Sequence, residues 1–309
     1  LSESQDSKYQ RSEKQGEITR ISDFSPDYFY YLLGSNRVYS EFAKRAAGAT
    51  VKNLNIDLVK GVEVELPPLA EQRRIAAILD KAEALRAKRR SALAKLDTLA
   101  QSIFVNEYGD PEVNPKNIPT TLLSNVCVRI TDGTHQSPKW SDSGCPFLFV
   151  SNIVGGEISY ETEKFISEET HAELTRRCPV EVGDVLYSTV GSYGVPVIVR
   201  SDRKFAFQRH IAHLKPNKGV LDPAFLKAML DSPPLRKQAD RAAKGVAQKT
   251  VNLSEIHKFV VFSPPLPLQQ AFARRIEAIE SLKERHRASL AKLDALFASL
   301  QHRAFRGEL

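Results

Sequence analysis

Part of this 309-residue chain occurs twice in one register, at a spacing of 197 with no gap. Gly48, Lys52 and Asn55 recur as Gly245, Lys249 and Asn252, and Pro67-Pro68-Leu69 with Gln72 recurs as Pro264-Pro265-Leu266 with Gln269. Leu93-Ala94-Lys95-Leu96-Asp97, followed by Leu99 and Ser102, is matched by Leu290-Ala291-Lys292-Leu293-Asp294, followed by Leu296 and Ser299. The register reaches back to Pro26 and Pro223. One register held over roughly eighty positions marks repeated structural units, so the chain reads as the end of one unit followed by the whole of a second.

Each unit closes in the same way. A short alternating run, Val62-Glu63-Val64-Glu65-Leu66 or Phe259-Val260-Val261-Phe262, predicts a strand, and the Pro-Pro after it stops the strand and opens a long helix. In the first helix the apolar residues Ile75, Ile78, Ala82, Leu85, Ala92, Leu96, Leu99 and Ile103 follow alternating steps of three and four, with Arg89 in the one polar slot. That spacing predicts a heptad seam against another helix. The second helix repeats it with Phe272, Ile279, Leu282, Leu293, Leu296 and Leu300, while Arg275, His286 and Ser289 weaken the stripe. The two helices are expected to pack on each other antiparallel, because one globular domain joins the repeats end to end. A helix from Leu69 to Phe104 spans roughly 54 Å, about the length of 16 base pairs of duplex.

Residues 107–222 change character. Pro and Gly punctuate the short runs Phe147–Val150, Val185–Val190, Val197–Val199 and Ile211–Leu214, which predict strands, and a short helix is expected at Glu168–Arg177. With 42% hydrophobic and 26% charged residues the chain can bury a core. No apolar run approaches the roughly 18 residues of a membrane span. The first twenty residues are polar and begin without Met, as expected at the cut edge of a longer chain. Three cysteines, Cys127, Cys145 and Cys178, with no CxxC pair, argue against a disulfide framework or a structural zinc site, and a cytoplasmic location is the default. The net charge of +7 is local: residues 69–106 carry 8 basic against 4 acidic side chains, 223–265 carry 7 against 3, and 266–309 carry 8 against 5.

Catalytic motifs are near misses. Ser232-Pro-Pro-Leu235 and Ser263-Pro-Pro-Leu266 lack the amide or carboxylate and the aromatic ring of an adenine methyltransferase motif. Gly245–Thr250 lacks the Gly before Lys that a phosphate-binding P-loop requires. His210 and His213, three apart in a strand, point to opposite faces and are poor partners for one metal. Asp184, Asp202 and Lys204 resemble the carboxylate-and-lysine trio of some nucleases, although Ser-Asp-Arg-Lys between two strands is also ordinary turn chemistry.

The tract Gly48-Ala-Thr-Val-Lys-Asn-Leu54, then Leu66-Pro-Pro-Leu-Ala-Glu-Gln-Arg-Arg-Ile-Ala-Ala-Ile-Leu79 and the heptads after it, resembles the DNA-specificity subunit of type I restriction-modification enzymes. The second copy, ending Phe305-Arg-Gly-Glu-Leu309, resembles the distal repeated region of that family. Asp132-Gly-Thr-His-Gln-Ser-Pro138, Pro146–Ile153, Gly183-Asp-Val-Leu186 and Phe207-Gln-Arg-His-Ile-Ala212 resemble tracts of its target-recognition domains. The resemblance implies two such domains, each reading half of a split DNA sequence, held apart by an antiparallel helix pair. It implies no catalysis in this chain: S-adenosylmethionine, ATP and Mg would be bound by modification and restriction subunits. The expected class is therefore α+β, with an α/β target-recognition domain of short mixed strands and two long helices forming an antiparallel coiled coil. Residues 1–66 are expected to be the remnant of a first recognition domain, 67–106 the first spacer helix, 107–265 the second recognition domain and 266–309 the second spacer helix. By the repeat, a full-length chain would have about 400 residues.

The leading expectation is a noncatalytic, sequence-specific DNA-binding subunit of a type I complex. The alternatives are a Mg-dependent nuclease using Asp184, Asp202 and Lys204, and a scaffold that does not touch DNA. Reading bases requires donors and acceptors projecting from loops, and Thr134, His135, Gln136, Lys139, Tyr193, Gln208, Arg209 and His210 are the candidates. Lys52 and Lys249, each near a Gly and an Asn at the same place in both units, are expected to contact phosphates. Lys95, Asp97, Lys292 and Asp294 recur off the predicted stripe with no packing reason, which points to modification subunits docking there.

Overall fold

The computed structural model describes residues 24–45, 60–64 and 66–309. It divides into two compact units, one made of residues up to Ala94 together with Glu284–Leu309, the other of Lys95–Lys283. Two 39-residue helices, α3 (Leu69–Glu107) and α9 (Leu266–Ala304), contribute to both units, and their ends differ by the repeat spacing of 197. Among the described residues no helix is long and apolar enough to cross a membrane.

In the first unit, α1 (Pro26–Leu33) and α2 (Asn36–Arg45) pack on the start of α3 and the end of α9. The core holds Tyr28, Tyr31, Leu32, Val38, Ile75, Leu79, Ala304 and Phe305. Pro26 pre-sets the first turn of α1, and Ser25 caps it by accepting from the backbone of Tyr28. Buried Gln72 ties this turn to α3: its Oε1 accepts from Ser25 N at 2.8 Å and its Nε2 donates to Pro67 O at 2.8 Å.

The second unit performs the same operations with equivalent residues. Helix α6 (Pro223–Leu230) is capped by Asp222, and buried Gln269 accepts from Asp222 N at 2.9 Å while donating to Pro264 O at 2.7 Å. Ser232 and Ser35 each donate a hydroxyl proton, at 2.6 Å, to the carbonyl three residues back, at Met229 and Leu32. Helix α7 (Pro233–Ala242) follows as α2 follows α1. The edge-to-face pair Tyr28–Phe305 has its counterpart in Phe225–Tyr108, with ring centroids at 5.4 and 5.0 Å. Repeated Pro, Gln and Ser are thus backbone-satisfying groups at buried helix ends, where unpaired polar atoms are costly.

The rest of the second unit is the α+β domain, from β1 (Thr120–Leu122) and the one-turn helix α4 (Leu123–Val126) to β9 (Val260–Phe262). Strands β2 (Cys127–Asp132), β8 (Ile211–Pro216), β5 (Val185–Ser188) and β6 (Pro196–Ile198) form an antiparallel sheet in that order. A smaller mixed sheet joins β4 (Phe165–Ile166), β3 (Cys145–Leu148) and β7 (Ala206–Phe207), with β3 and β7 parallel. Helix α5 (Glu168–Thr175) lies within the predicted helical stretch, and α8 (Leu253–Ile256) precedes β9. The rings of Phe104, Tyr108, Phe225, Phe262 and Phe272 hold α3 and α9 to this domain's core.

Two expectations are corrected. Residues 62–64 and 66 form no strand. The equivalent β9 pairs antiparallel with β1, whereas residues 62–64 and 66 have no ladder partner among the described residues. The seam also follows a different row. In both units α3 and α9 run antiparallel, but the facing positions are Ile75, Leu79, Ala82, Arg86, Arg89, Leu93, Leu96, Ala100 and Ile103 with their equivalents Phe272, Ile276, Ile279, Lys283, His286, Leu290, Leu293, Phe297 and Leu300. Leu79 is 0% exposed, whereas Leu85, Leu99 and Leu296 are 49%, 46% and 48% exposed. The centre is polar. In the first unit, Arg86 pairs with Asp294 at 2.6 Å and with Glu83, and in the second Lys283 pairs with Asp97 at 2.6 Å and Glu280 at 2.9 Å. Burial alone would lower the buried Lys283 ammonium, but its bonds to Asp97 and Glu280 hold it above the ordinary lysine range. Arg89 donates to Nδ1 of His286 at 2.9 Å, and His286 is its own repeat equivalent.

The register difference is testable. Leu79→Ala should cost about 2–5 kcal/mol in urea unfolding, whereas Leu85→Ala should stay within about 0.5 kcal/mol of wild type. Equal costs would restore the row through Leu85.

Candidate nucleic-acid interface

Three loops of the second unit converge. The first, Asp132–Gln136, leaves the end of β2, the second, Gln208–His210, joins β7 to β8, and the third is Lys244–Thr250. The first two are stitched by a parallel bridge between Thr134 and Gln208: Thr134 N donates to Phe207 O at 3.1 Å and Arg209 N donates to Thr134 O at 3.0 Å. This approach requires Gly133, because a Cβ there would lie 2.0 Å from the Phe207 carbonyl oxygen. Lys244 and Thr250 close the third loop with paired backbone bonds of 2.9 and 2.8 Å, and Gly245 turns it at a φ of +112°. Val251 N to Thr189 O and Gly191 N to Lys249 O anchor it beside β5.

The convergence produces two concavities. A groove of about 370 Å³ is lined by Asp132, His135, Arg209, His210, Gln248 and Asn252. A recess of about 160 Å³ is lined by His135, Gln136, Trp140, Phe147, Gln208 and Arg209. His135 projects with its Nε2 2.9 Å from Asp132 Oδ2. Burial, then the neighbouring Arg209 charge, hold His210 below the ordinary imidazole range, so its neutral Nε2 accepts from Arg209 Nε at 3.4 Å. The rim therefore offers guanidinium, imidazole and amide groups, the donor and acceptor types that read base edges and phosphates.

Of the residues singled out from sequence, Thr134, His135, Gln136, Gln208, Arg209 and His210 come together here. Thr134 is held by its backbone, and its hydroxyl donates to Gln136 O at 3.0 Å. Lys139 is exposed between Pro138 and Trp140, which line the recess. Lys249 is exposed beside Gln248, and Lys52 lies outside the described residues. Sequence reasoning missed Trp140, Gln248 and Asn252. Trp140, the chain's one tryptophan, is 44% exposed, with Lys164 Nζ 5.4 Å from its ring centroid.

Tyr193 does not belong to the surface. It is 7% exposed, its hydroxyl donates to Asp240 at 2.9 Å and the Arg236 guanidinium covers its ring at 4.7 Å. The flanking Gly191 and Gly194 turn the chain so that this ring enters the core instead of projecting from a loop.

The nuclease trio does not assemble. Asp184 is buried against His213 at 2.7 Å and Lys215 at 3.1 Å, whereas Asp202 and Lys204 are exposed and Lys204 pairs with Glu168 at 2.6 Å. His210 and His213 also part, His213 being buried in β8. Among the described residues no group of His, Cys, Asp and Glu is disposed to hold a metal ion. The recurrence of Asp97 and Asp294 has a packing cause after all, in their ion pairs with Lys283 and Arg86, while Lys95 and Lys292 remain exposed.

Residues 5–95 match the family model described as type I restriction modification DNA specificity domain. The chain is 26% identical over 319 residues to the type I restriction enzyme EcoBI specificity subunit of Escherichia coli, covering 93% of this chain and 66% of that protein. It is 22% identical over 308 residues to the EcoKI specificity subunit of Escherichia coli strain K12, covering 91% of this chain and 65% of that protein. It therefore spans about two thirds of the length of these relatives. A solved chain, from work on complex assembly and conformational transition of the type I R-M system, aligns with a TM-score of 0.54 at 19% identity, covering 94% of this chain and 73% of that one, and so shares its fold.

Tyr193→Phe should lower stability by about 1 kcal/mol through the lost bond to Asp240. His135→Ala, Gln136→Ala and Arg209→Ala, made on exposed side chains, should stay within about 0.5 kcal/mol of wild type in denaturant unfolding. A neutral Tyr193→Phe would return that residue to the list of surface candidates.

Proposed function

We propose that this chain, a relative of the type I restriction-modification specificity subunits, is a noncatalytic DNA-binding subunit that reads one half of a bipartite target through its α+β domain. The observation that carries the reading is the convergence of the three loops, which places His135, Gln136, Arg209 and Gln248 around adjoining concavities. Base readout is assigned to those side chains, with Trp140 a candidate for apolar contact to a base. Lys139 and Lys249 beside them supply phosphate contacts that position the domain without specifying sequence. Chemistry on the DNA belongs, in this reading, to separate modification and restriction subunits that bind S-adenosylmethionine, ATP and Mg, and the assembly works in the cytoplasm.

Modification subunits dock, on this reading, on the two long helices. Two copies of one partner need two equivalent surfaces, and Lys95 and Lys292 are exposed, repeated and without an ion pair among the described residues. Asp97 and Asp294 contribute by fixing the helix pair that presents those lysines.

Anisotropy titrations of a duplex panel at several salt concentrations test the DNA reading. His135→Ala or Arg209→Ala should change which duplex is preferred, whereas Lys249→Ala should weaken all duplexes alike and reduce the salt slope by about one. Equal loss on every sequence for all three variants would place readout elsewhere. Charge reversal at Lys95 and Lys292 together should abolish co-purification with a modification subunit while leaving helix content and melting unchanged, and retained co-purification would move the docking surface.

A further inference from the structure

Beside the loops lies a group that DNA reading does not use. His213 in β8 is 1% exposed, with Nε2 2.7 Å from Asp184 Oδ2 and Nδ1 3.5 Å from Cys178 Sγ. Asp184 is itself fixed, since its Oδ2 also accepts from Glu181 N at 2.9 Å and meets Lys215 Nζ at 3.1 Å, while its buried Oδ1 has no hydrogen-bond partner. Burial alone would lower His213, but the bond to Asp184 and the contact with Cys178 offset this and hold the imidazole above its ordinary range. Cys178, half-buried in the turn after α5, lines a cavity of about 390 Å³ that also takes in Arg129, Arg176 and Arg177, with Thr134 and His135 in its wall.

Thiol, imidazole and carboxylate thus stand in the order that activates a cysteine: the carboxylate fixes the ring, and the far ring nitrogen takes the thiol proton. The other two thiols lack this arrangement. Burial pushes Cys127 up to about 12, and burial together with the Glu168 carboxylate pushes Cys145 up to about 11.

We propose that Cys178 is a modification site, an activated thiol that exchanges with low-molecular-mass disulfides bearing carboxylates, which the cavity arginines receive. The Sγ proton passes to His213 Nδ1 and Sγ attacks one sulfur of the disulfide. A new S–S bond to Cys178 forms as the original S–S bond breaks, and the departing thiolate leaves with the electron pair and takes the proton from His213. The Cys178 sulfur is oxidised and the departing half is reduced, so the exchange balances. The adduct brings negative charge beside Thr134 and His135. Its expected effect, weaker DNA binding, rests on the function proposed above.

The test is to treat the whole folded chain with oxidised glutathione at neutral pH and follow each cysteine by peptide mass spectrometry. Cys178 should react about tenfold faster than the same cysteine in urea-unfolded chain, and faster than Cys127 and Cys145. A half-buried thiol without activation reacts more slowly folded than unfolded, so a native rate at or below the unfolded rate overturns the proposal. Asp184→Asn should remove the excess rate, and an excess that persists in that variant also overturns it. Should that variant not fold, the native-to-unfolded ratio of wild type decides alone. The glutathionylated chain should bind duplex DNA at least several-fold more weakly, with recovery in dithiothreitol, and unchanged affinity overturns the coupling to DNA. An unmodified chain that binds no duplex counts against the proposed function, and the thiol rates still decide the modification site.

Discussion

Most of this molecule depends on two equivalent helices lying antiparallel with their polar slots in register. The seam is apolar toward its ends, where Ile75 and Leu79 meet Ala304 and Phe305 in one unit, and Phe104 meets Phe272 in the other. At the middle it is charged. An apolar stripe alone is satisfied by slips of a whole heptad, since one Leu fits another Leu's place, but Arg86 against Asp294 and Lys283 against Asp97 are satisfied in one register only. A slip would take Asp97 from the 5% exposed Lys283 and leave it only Glu280 of its own helix. Stability comes from the ends of the seam and alignment from its centre.

The repeat was legible because its best-kept residues do backbone work that other side chains do poorly. Pro26 and Pro223 fix a first helical turn, and Gln72 and Gln269 each bridge a cap N–H and a proline carbonyl. Half of the seam was not legible, for a definable reason. Positions 75, 82, 89, 96 and 103 belong both to the row read from apolar spacing and to the row observed, and the two rows differ only in which neighbour fills the other slots. Ile78, Leu85 and Leu99 made one choice look apolar, while Arg86 hid the other, because a cation reads as solvent-facing until its carboxylate on the second helix is known. The alternating run at 62–66 shows a related limit: alternation records a strand's faces, but not whether a partner is present to complete its ladder.

Two tracts dense in polar side chains, residues 134–136 and 208–210, are distant in sequence and lie side by side in the fold. Tyr193 failed because flanking glycines signal a turn without saying which way its ring faces, and Asp240 and Arg236, which claim that ring, are more than forty residues away in sequence. Trp140 and Gln248 were missed because neither belongs to a motif, and only the closure of the 244–250 loop brings Gln248 to the groove. The Asp184 carboxylate illustrates the converse: its sequence setting suggested metal chemistry, and its burial commits it to an imidazole and an ammonium instead.

The contact between Arg89 and His286 joins a residue to its own equivalent, which happens where two antiparallel copies of one helix cross. A faultless duplication would put two guanidinium groups face to face at that crossing. Histidine in the second copy replaces a repulsion with a donor–acceptor pair, because the imidazole Nδ1 accepts what the guanidinium offers. The same substitution discriminates between pairings: were α3 to pair with a second α3, Arg86 would still face Asp97, the equivalent of Asp294, but Arg89 would meet Arg89. A single departure from symmetry thus favours α3 pairing with α9 over α3 pairing with a second α3.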